Sequence, residues 1–169
     1  MSTLRAQDRL QPALLDRLTD DEVEARSDSA ETRVINRQRL RELVLRDLAW
    51  LFNATAPGPS SVDWSRAPHA RNSVLNYGLP ALSGQTASTI DPLVLQARVR
   101  QAILDHEPRI LPATLSVEVV LSEMQMDHHN QIGFRISGQL WAQPVPLELL
   151  LHTDIDLETG RVAVRELDR

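Results

Sequence analysis

The residues best suited to chemistry are Glu107-Pro108-Arg109. Proline locks its own backbone, so an acid and a base project from a stiff corner and can grip main-chain carbonyls, each other or a partner's charges. A carboxylate there also makes glycoside hydrolysis a chemistry to weigh. That chemistry usually needs a second carboxylate about 5–9.5 Å away, with one of the pair protonated. Glu118, on the polar side of the following strand, is the obvious second carboxylate. Arg109 argues against this alternative, because a neighbouring guanidinium favours the charged carboxylate over a proton-donating acid.

The five histidines raise metal binding next. Asp127-His128-His129 offers ligand types in succession, but adjacent residues on a hairpin point in different directions, and a polar turn tip accounts for them. His106 suits the C-terminal end of a helix dipole, and His152 alternates outward on a strand with no companion at ligand spacing. No G-x-S-x-G, Walker, dinucleotide or H-E-x-x-H pattern occurs. No metal and no cofactor is expected. Cysteine is absent, which removes disulfides, thiol nucleophiles and thiolate metal sites. All 18 basic residues are arginine, so Schiff-base chemistry, a P-loop lysine and a lysine-rich arm are absent too. With a net charge of −5, the chain is a poor bulk ligand for polyanions. The arginines between Arg33 and Arg46 follow an acidic stretch and lack nearby stacking aromatics, so nucleic acid is not an expected partner. Residues 1–16 carry Arg5, Asp8 and Arg9 and no apolar h-region, and the longest uncharged stretch, residues 72–90, is too polar to span a membrane. The expected address is the cytoplasm, without direct membrane insertion.

The elements that must position these residues follow from periodicity. Leu40, Leu43, Val44, Leu48 and Leu51 lie at helical spacing and predict a helix over residues 31–52. Projected upstream, that face continues as Arg33 and Arg37, with Arg41 beside it, an arginine surface expected to serve partner docking more than folding. Residues 53–90 hold four prolines and three glycines with little periodicity. They predict an ordered, irregular, surface-hugging segment in which Trp64, Leu75, Tyr77, Leu79 and Leu82 supply packing. Asp91-Pro92 reads as an N-cap with proline in the first turn, and Glu107 before Pro108 must end that second helix near His106. From Leu115 the period becomes two, over Leu115–Leu121, Ile132–Leu140, Leu147–Ile155 and a short last strand through Val162 and Val164. The fold class is α+β, with N-terminal helices and a long irregular loop packed on one face of a mostly antiparallel, about four-stranded C-terminal sheet. Residues 31–169 form the single domain. Residues 1–30 form a mobile docking appendage whose Leu10, Leu14, Leu15 and Leu18 offer a leucine face to a partner groove.

Four stretches carry a further likeness: Leu14-Leu15-Asp16-Arg17-Leu18; Asp47-Leu48-Ala49-Trp50-Leu51-Phe52-Asn53; Ser73-Val74-Leu75-Asn76-Tyr77-Gly78-Leu79-Pro80; and Glu107-Pro108-Arg109-Ile110. In order and approximate spacing the chain resembles the phage baseplate wedge (GPW) family, and within it the TssE subunits of type VI secretion systems; the family's lysozyme-like label implies the alternative, a muralytic glycoside hydrolase using Glu107. Ala54-Thr55-Ala56-Pro57 and Ala81 depart from residues common in that family. The resemblance implies that Glu107-Pro108-Arg109 is the signature tripeptide and that the role is structural and non-catalytic. It implies a baseplate subunit of a contractile injection machine, partnered by other wedge subunits and the contractile sheath, with no homo-oligomer expected. Glu107, Pro108, Arg109, Tyr77 and Gly78 are then partner-binding or structural signature residues. Leu14, Leu15, Leu18, Arg33, Arg37 and Arg41 are the candidate docking surfaces.

Overall fold

A computed structural model describes residues 13–18, 35–57, 62–82, 84, 90–120, 131–142 and 145–167. Arg33, the Asp127-His128-His129 turn and most of the appendage, residues 19–30 included, lie outside them. Three helices, α1 (Leu14–Leu18), α2 (Arg37–Asn53) and α3 (Pro92–His106), precede four strands, β1 (Ser116–Val120), β2 (Gln131–Leu140), β3 (Leu147–Asp156) and β4 (Val162–Glu166). The strands form one antiparallel sheet in the order β1-β2-β3-β4, the α+β architecture the alternating pattern predicts.

α2 begins six residues later than the apolar pattern suggests. Asn36 is extended (φ −83°, ψ 171°), and its side chain accepts from the Arg39 N–H at 2.7 Å, so it caps the helix that starts at Arg37. The arginine face therefore begins at Arg37 within α2. α3 starts and stops where its local signals place it: Asp91 accepts from Leu93 N, Pro92 occupies the first turn, and Glu107 leaves helical geometry (φ −121°, ψ 79°) ahead of Pro108.

The core joins one face of the sheet to both helices. Val117, Phe134, Ile136, Leu149, Leu151, Ile155 and Val162 supply the inward strand positions, with Leu40, Val44, Leu48, Leu51, Leu95, Val99 and Ile103 from α2 and α3 above them. α2 lies against β4 and α3 against β1, so both sheet edges have a helix alongside. The segment between α2 and α3 is built from 3₁₀ turns at Trp64–Arg66, Pro68–Asn72 and Val74–Asn76, and it sends Leu79 and Leu82 into the core. Leu75, expected to pack, is exposed instead, because the turn at Val74–Asn76 directs it to solvent.

Asn53, the last residue of α2, fastens the helix to the sheet. Its Nδ2 donates to the carbonyls of Ala49 (2.7 Å) and Val162 (2.9 Å), while its Oδ1 accepts from Val162 N–H (3.0 Å). One side-chain amide thereby stands in for a neighbouring strand at the start of edge strand β4. Asn53→Ala leaves both Val162 groups without this partner and is expected to cost about 1–3 kcal/mol, read as a lower urea midpoint with unchanged slope.

Candidate functional site

The Glu107-Pro108-Arg109 corner is held from both sides. Glu107 N–H closes the last turn of α3 on Ile103 O (2.8 Å), and Arg109 O accepts from Trp141 N–H (2.7 Å) just beyond β2. Ile110 bridges Leu140, and Leu111 N–H donates to Gln139 O at 2.8 Å. Pairing this corner with the end of β2 brings Trp141 beside Arg109.

Glu107 is 4% exposed, and both of its oxygens are occupied. Oε1 accepts from Arg109 N–H (3.1 Å) and Nε (2.7 Å), and Oε2 accepts from Arg109 Nη2 (2.5 Å). The same Nη2 donates to Asp47 Oδ2 at 2.6 Å. Asp47 Oδ1 then accepts from Arg46 Nε (2.9 Å) and Nη2 (2.7 Å), and Arg46 Nη2 reaches Asp16 Oδ1 in α1 at 2.7 Å. The result is an alternating chain, Glu107–Arg109–Asp47–Arg46–Asp16, joining the end of α3, the middle of α2 and α1. Burial acts most strongly on the Arg109 guanidinium and pulls its pKa down. The hydrogen bond and charge of Glu107, then those of Asp47, lift it above the ordinary arginine value. Arg46 behaves likewise, with burial lowering its pKa and its bonds to Asp16 and Asp47 raising it more. Arg46 also lies over the Trp50 ring, 4.7 Å from its centroid.

Glu107, Arg109 and Asp47 of this chain form one wall of a groove of about 510 Å³, whose apolar lining includes Leu15, Leu48, Trp50, Leu51 and Trp141. Trp50 and Trp141 are each more than half exposed at it. Large aromatics at a partly open groove, beside preorganised charges, are features of protein–protein contact surfaces. Tyr77 lines the same groove and meets His106 edge-on, with ring centroids 5.1 Å apart. Burial raises the Tyr77 pKa, and the charges of Asp47 and Glu107 add to the effect. Gly78 holds Tyr77 there: at φ +118° it lets Leu79 N–H reach Ala54 O (2.9 Å) and Leu79 O accept from Ala56 N–H (2.8 Å).

The structure thus gathers Glu107, Pro108, Arg109, Tyr77 and Leu15 at one groove, with Gly78 supporting it from behind. Leu14 and Leu18 point to solvent. Arg37 and Arg41 sit elsewhere on α2. Arg41 Nη2 donates to Glu148 O (3.2 Å), and its Nε lies 3.8 Å from Glu166 Oε1, which makes Arg41 a brace between helix and sheet. Arg41→Gln is expected to lower stability by about 1 kcal/mol and Arg37→Gln by about 0.5 kcal/mol or less, compared side by side in thermal unfolding.

Sequence reading missed Asp47, Arg46, Asp16, Trp50 and Trp141 as members of the site. A signal for Asp47 existed: it falls four residues after Leu43 and four before Leu51, an acid on the apolar stripe of α2. Trp50 is also the stacking aromatic that the arginine-rich helix appeared to lack. Among the described residues, no group of histidines and acids could hold a metal ion, and no helix is long and apolar enough to cross a membrane.

A family model described as "Baseplate wedge protein gp25" matches residues 38–145. That span takes in Asp47, Trp50, Tyr77, Gly78, the Glu107–Arg109 corner and Trp141, and leaves out α1. No curated protein and no solved structure matches the chain.

Proposed function

We propose a specific role for a chain that belongs to the baseplate wedge protein gp25 family and is a structural baseplate component of a phage-like machine. The chain is a non-catalytic, TssE-like wedge subunit of a type VI secretion baseplate, assembled at the cytoplasmic side of the inner membrane. It joins other wedge subunits and helps the contractile sheath begin to polymerise. The groove beside Glu107 and Arg109 is its docking face.

One observation carries the non-catalytic reading: both oxygens of Glu107 accept hydrogen bonds from Arg109. A general acid must reach a leaving group, and a buried carboxylate with both oxygens engaged by its own chain is not placed to do so. Glu118 is exposed on β1, where its Oε1 accepts from the Ser116 hydroxyl. The exposed Trp50 and Trp141 favour a docking surface, since large aromatics at a contact carry most of its energy.

The test is capture of baseplate and sheath subunits from the native lysate on the tagged chain. Trp50→Ala with Trp141→Ala is expected to leave thermal unfolding close to the parent and to weaken capture at least about tenfold, a hot-spot-sized loss. Full capture by that variant sinks the docking face. A parent that clears peptidoglycan, with Glu107→Gln folded but inactive, overturns the non-catalytic role.

A further inference from the structure

α1 is seated on the domain by its acid and by one of its three leucines. Leu14 and Leu18 are 69% and 72% exposed, and only Leu15 reaches the groove. The Asp16 carboxylate is 6% exposed, gripped by Arg46 at 2.7 Å and accepting from Ala13 N–H at 3.2 Å. A five-residue helix has no stability of its own in water, so its place depends on its contacts with the domain, and among the described residues the Asp16–Arg46 ion pair is its charged anchor.

The anchor is also the outer end of the charge chain. Without Asp16, the groups Glu107, Arg109, Asp47 and Arg46 sum to zero, and the chain ends in a cation. Arg46 then lies over Trp50, beside the apolar groove lined by Leu48, Leu51 and Trp141. The complement of that surface is an apolar segment bearing a single anion, and α1 supplies a minimal version of it through Leu15 and Asp16.

We propose that α1 is an internal surrogate for the groove's partner, latched across the groove by Asp16 on Arg46 and displaced when an apolar segment of another baseplate subunit brings its own carboxylate to Arg46. This rests on the docking face proposed above and adds the chemistry of the occupant and the contact it must replace. α1, with Asp16, lies outside the span that the family model matches, and Arg46 lies inside it.

The test uses the isolated full chain. Asp16→Asn keeps the shape of the side chain and removes its charge. Amide exchange in α1 is expected to rise at least about tenfold, the factor carried by one lost charge-assisted hydrogen bond, with α3 unchanged. Leu14→Ser with Leu18→Ser is expected to leave α1 exchange at the parent rate. The opened groove is then probed with anilinonaphthalene sulfonate, an apolar ring system with one anion, and with phenylnaphthylamine, the same rings without it. Asp16→Asn should enhance sulfonate emission several-fold and the neutral probe much less, and adding Arg46→Gln should abolish the difference. Unchanged α1 exchange in Asp16→Asn overturns the latch, as does release of α1 by the leucine variant. Equal enhancement of both probes overturns the anionic occupant. Because none of these readings involves a partner, the latch can fail while baseplate capture succeeds, and the reverse.

Discussion

Replacing Glu107 with alanine is expected to destabilise the protein by about 3–5 kcal/mol, because it leaves the Arg109 guanidinium largely buried with only Asp47 to answer it. Three hydrogen bonds onto the Glu107 carboxylate disappear together, including the one from Arg109 N–H that shapes the corner. In a chain of this size the loss corresponds to a fall in Tm on the order of 10 °C. Glu107→Gln retains one acceptor oxygen and the side-chain volume, so roughly half of the loss is expected. Asp47 and Glu107 share Arg109, and their substitutions should therefore couple by about 0.5–3 kcal/mol in a double-mutant cycle, whereas either should add simply to Asn53→Ala. Urea unfolding of these single variants and of their pairwise combinations checks all of this. A Glu107→Ala protein that melts within a degree of the parent removes the corner from the list of structural supports and returns it wholly to partner binding.

Gly78→Ala is expected to be at least as damaging, for a different reason. Its backbone sits at φ +118°, a region that costs a side-chain-bearing residue about 1–3 kcal/mol. An added Cβ would also meet the carbonyl of Ala54, standing 2.6 Å from the carbon and closer still to the oxygen. Both atoms are main chain and cannot swing away, so Ala54 and Leu79 must separate. The bridge between Thr55 and Leu79 opens, and Tyr77 loses the support that keeps it on the groove. Gly84 provides the control. It also has positive φ (+80°), but among the described residues a Cβ there meets nothing within 4 Å. Gly84→Ala should therefore show the backbone cost alone, about 1 kcal/mol, and the difference between the two variants measures the collision. Equal unfolding midpoints for Gly78→Ala and Gly84→Ala would contradict this account.

Sequence alone determined the elements whose causes are local. The period of 3.6 through Leu40, Leu43, Val44, Leu48 and Leu51 and the period of two from Leu115 onward each state which face must leave water, and that is enough for two long helices and four strands. Asp91-Pro92 and Glu107-Pro108 bounded α3 correctly, because capping and proline sterics act within a residue or two. The cap at Asn36 is equally local, but the continuing arginines masked it, since amphipathic arginine imitates the apolar stripe it extends. The tripeptide was legible as a stiff charged corner. What it grips was decided only by the tertiary structure. Arg109 meets Asp47 across 62 residues, and Arg46 meets Asp16 across 30. No periodicity encodes such pairings, because a hydrogen bond depends on where two elements come to rest against each other and not on the spacing within either. The same holds for the leucines of α1. Their spacing predicts a docking face for a partner groove, whereas the fold sets Leu15 at the chain's own groove and leaves Leu14 and Leu18 exposed, because Asp16 pairs at 2.7 Å with the part-buried Arg46 guanidinium and that contact orients the short helix.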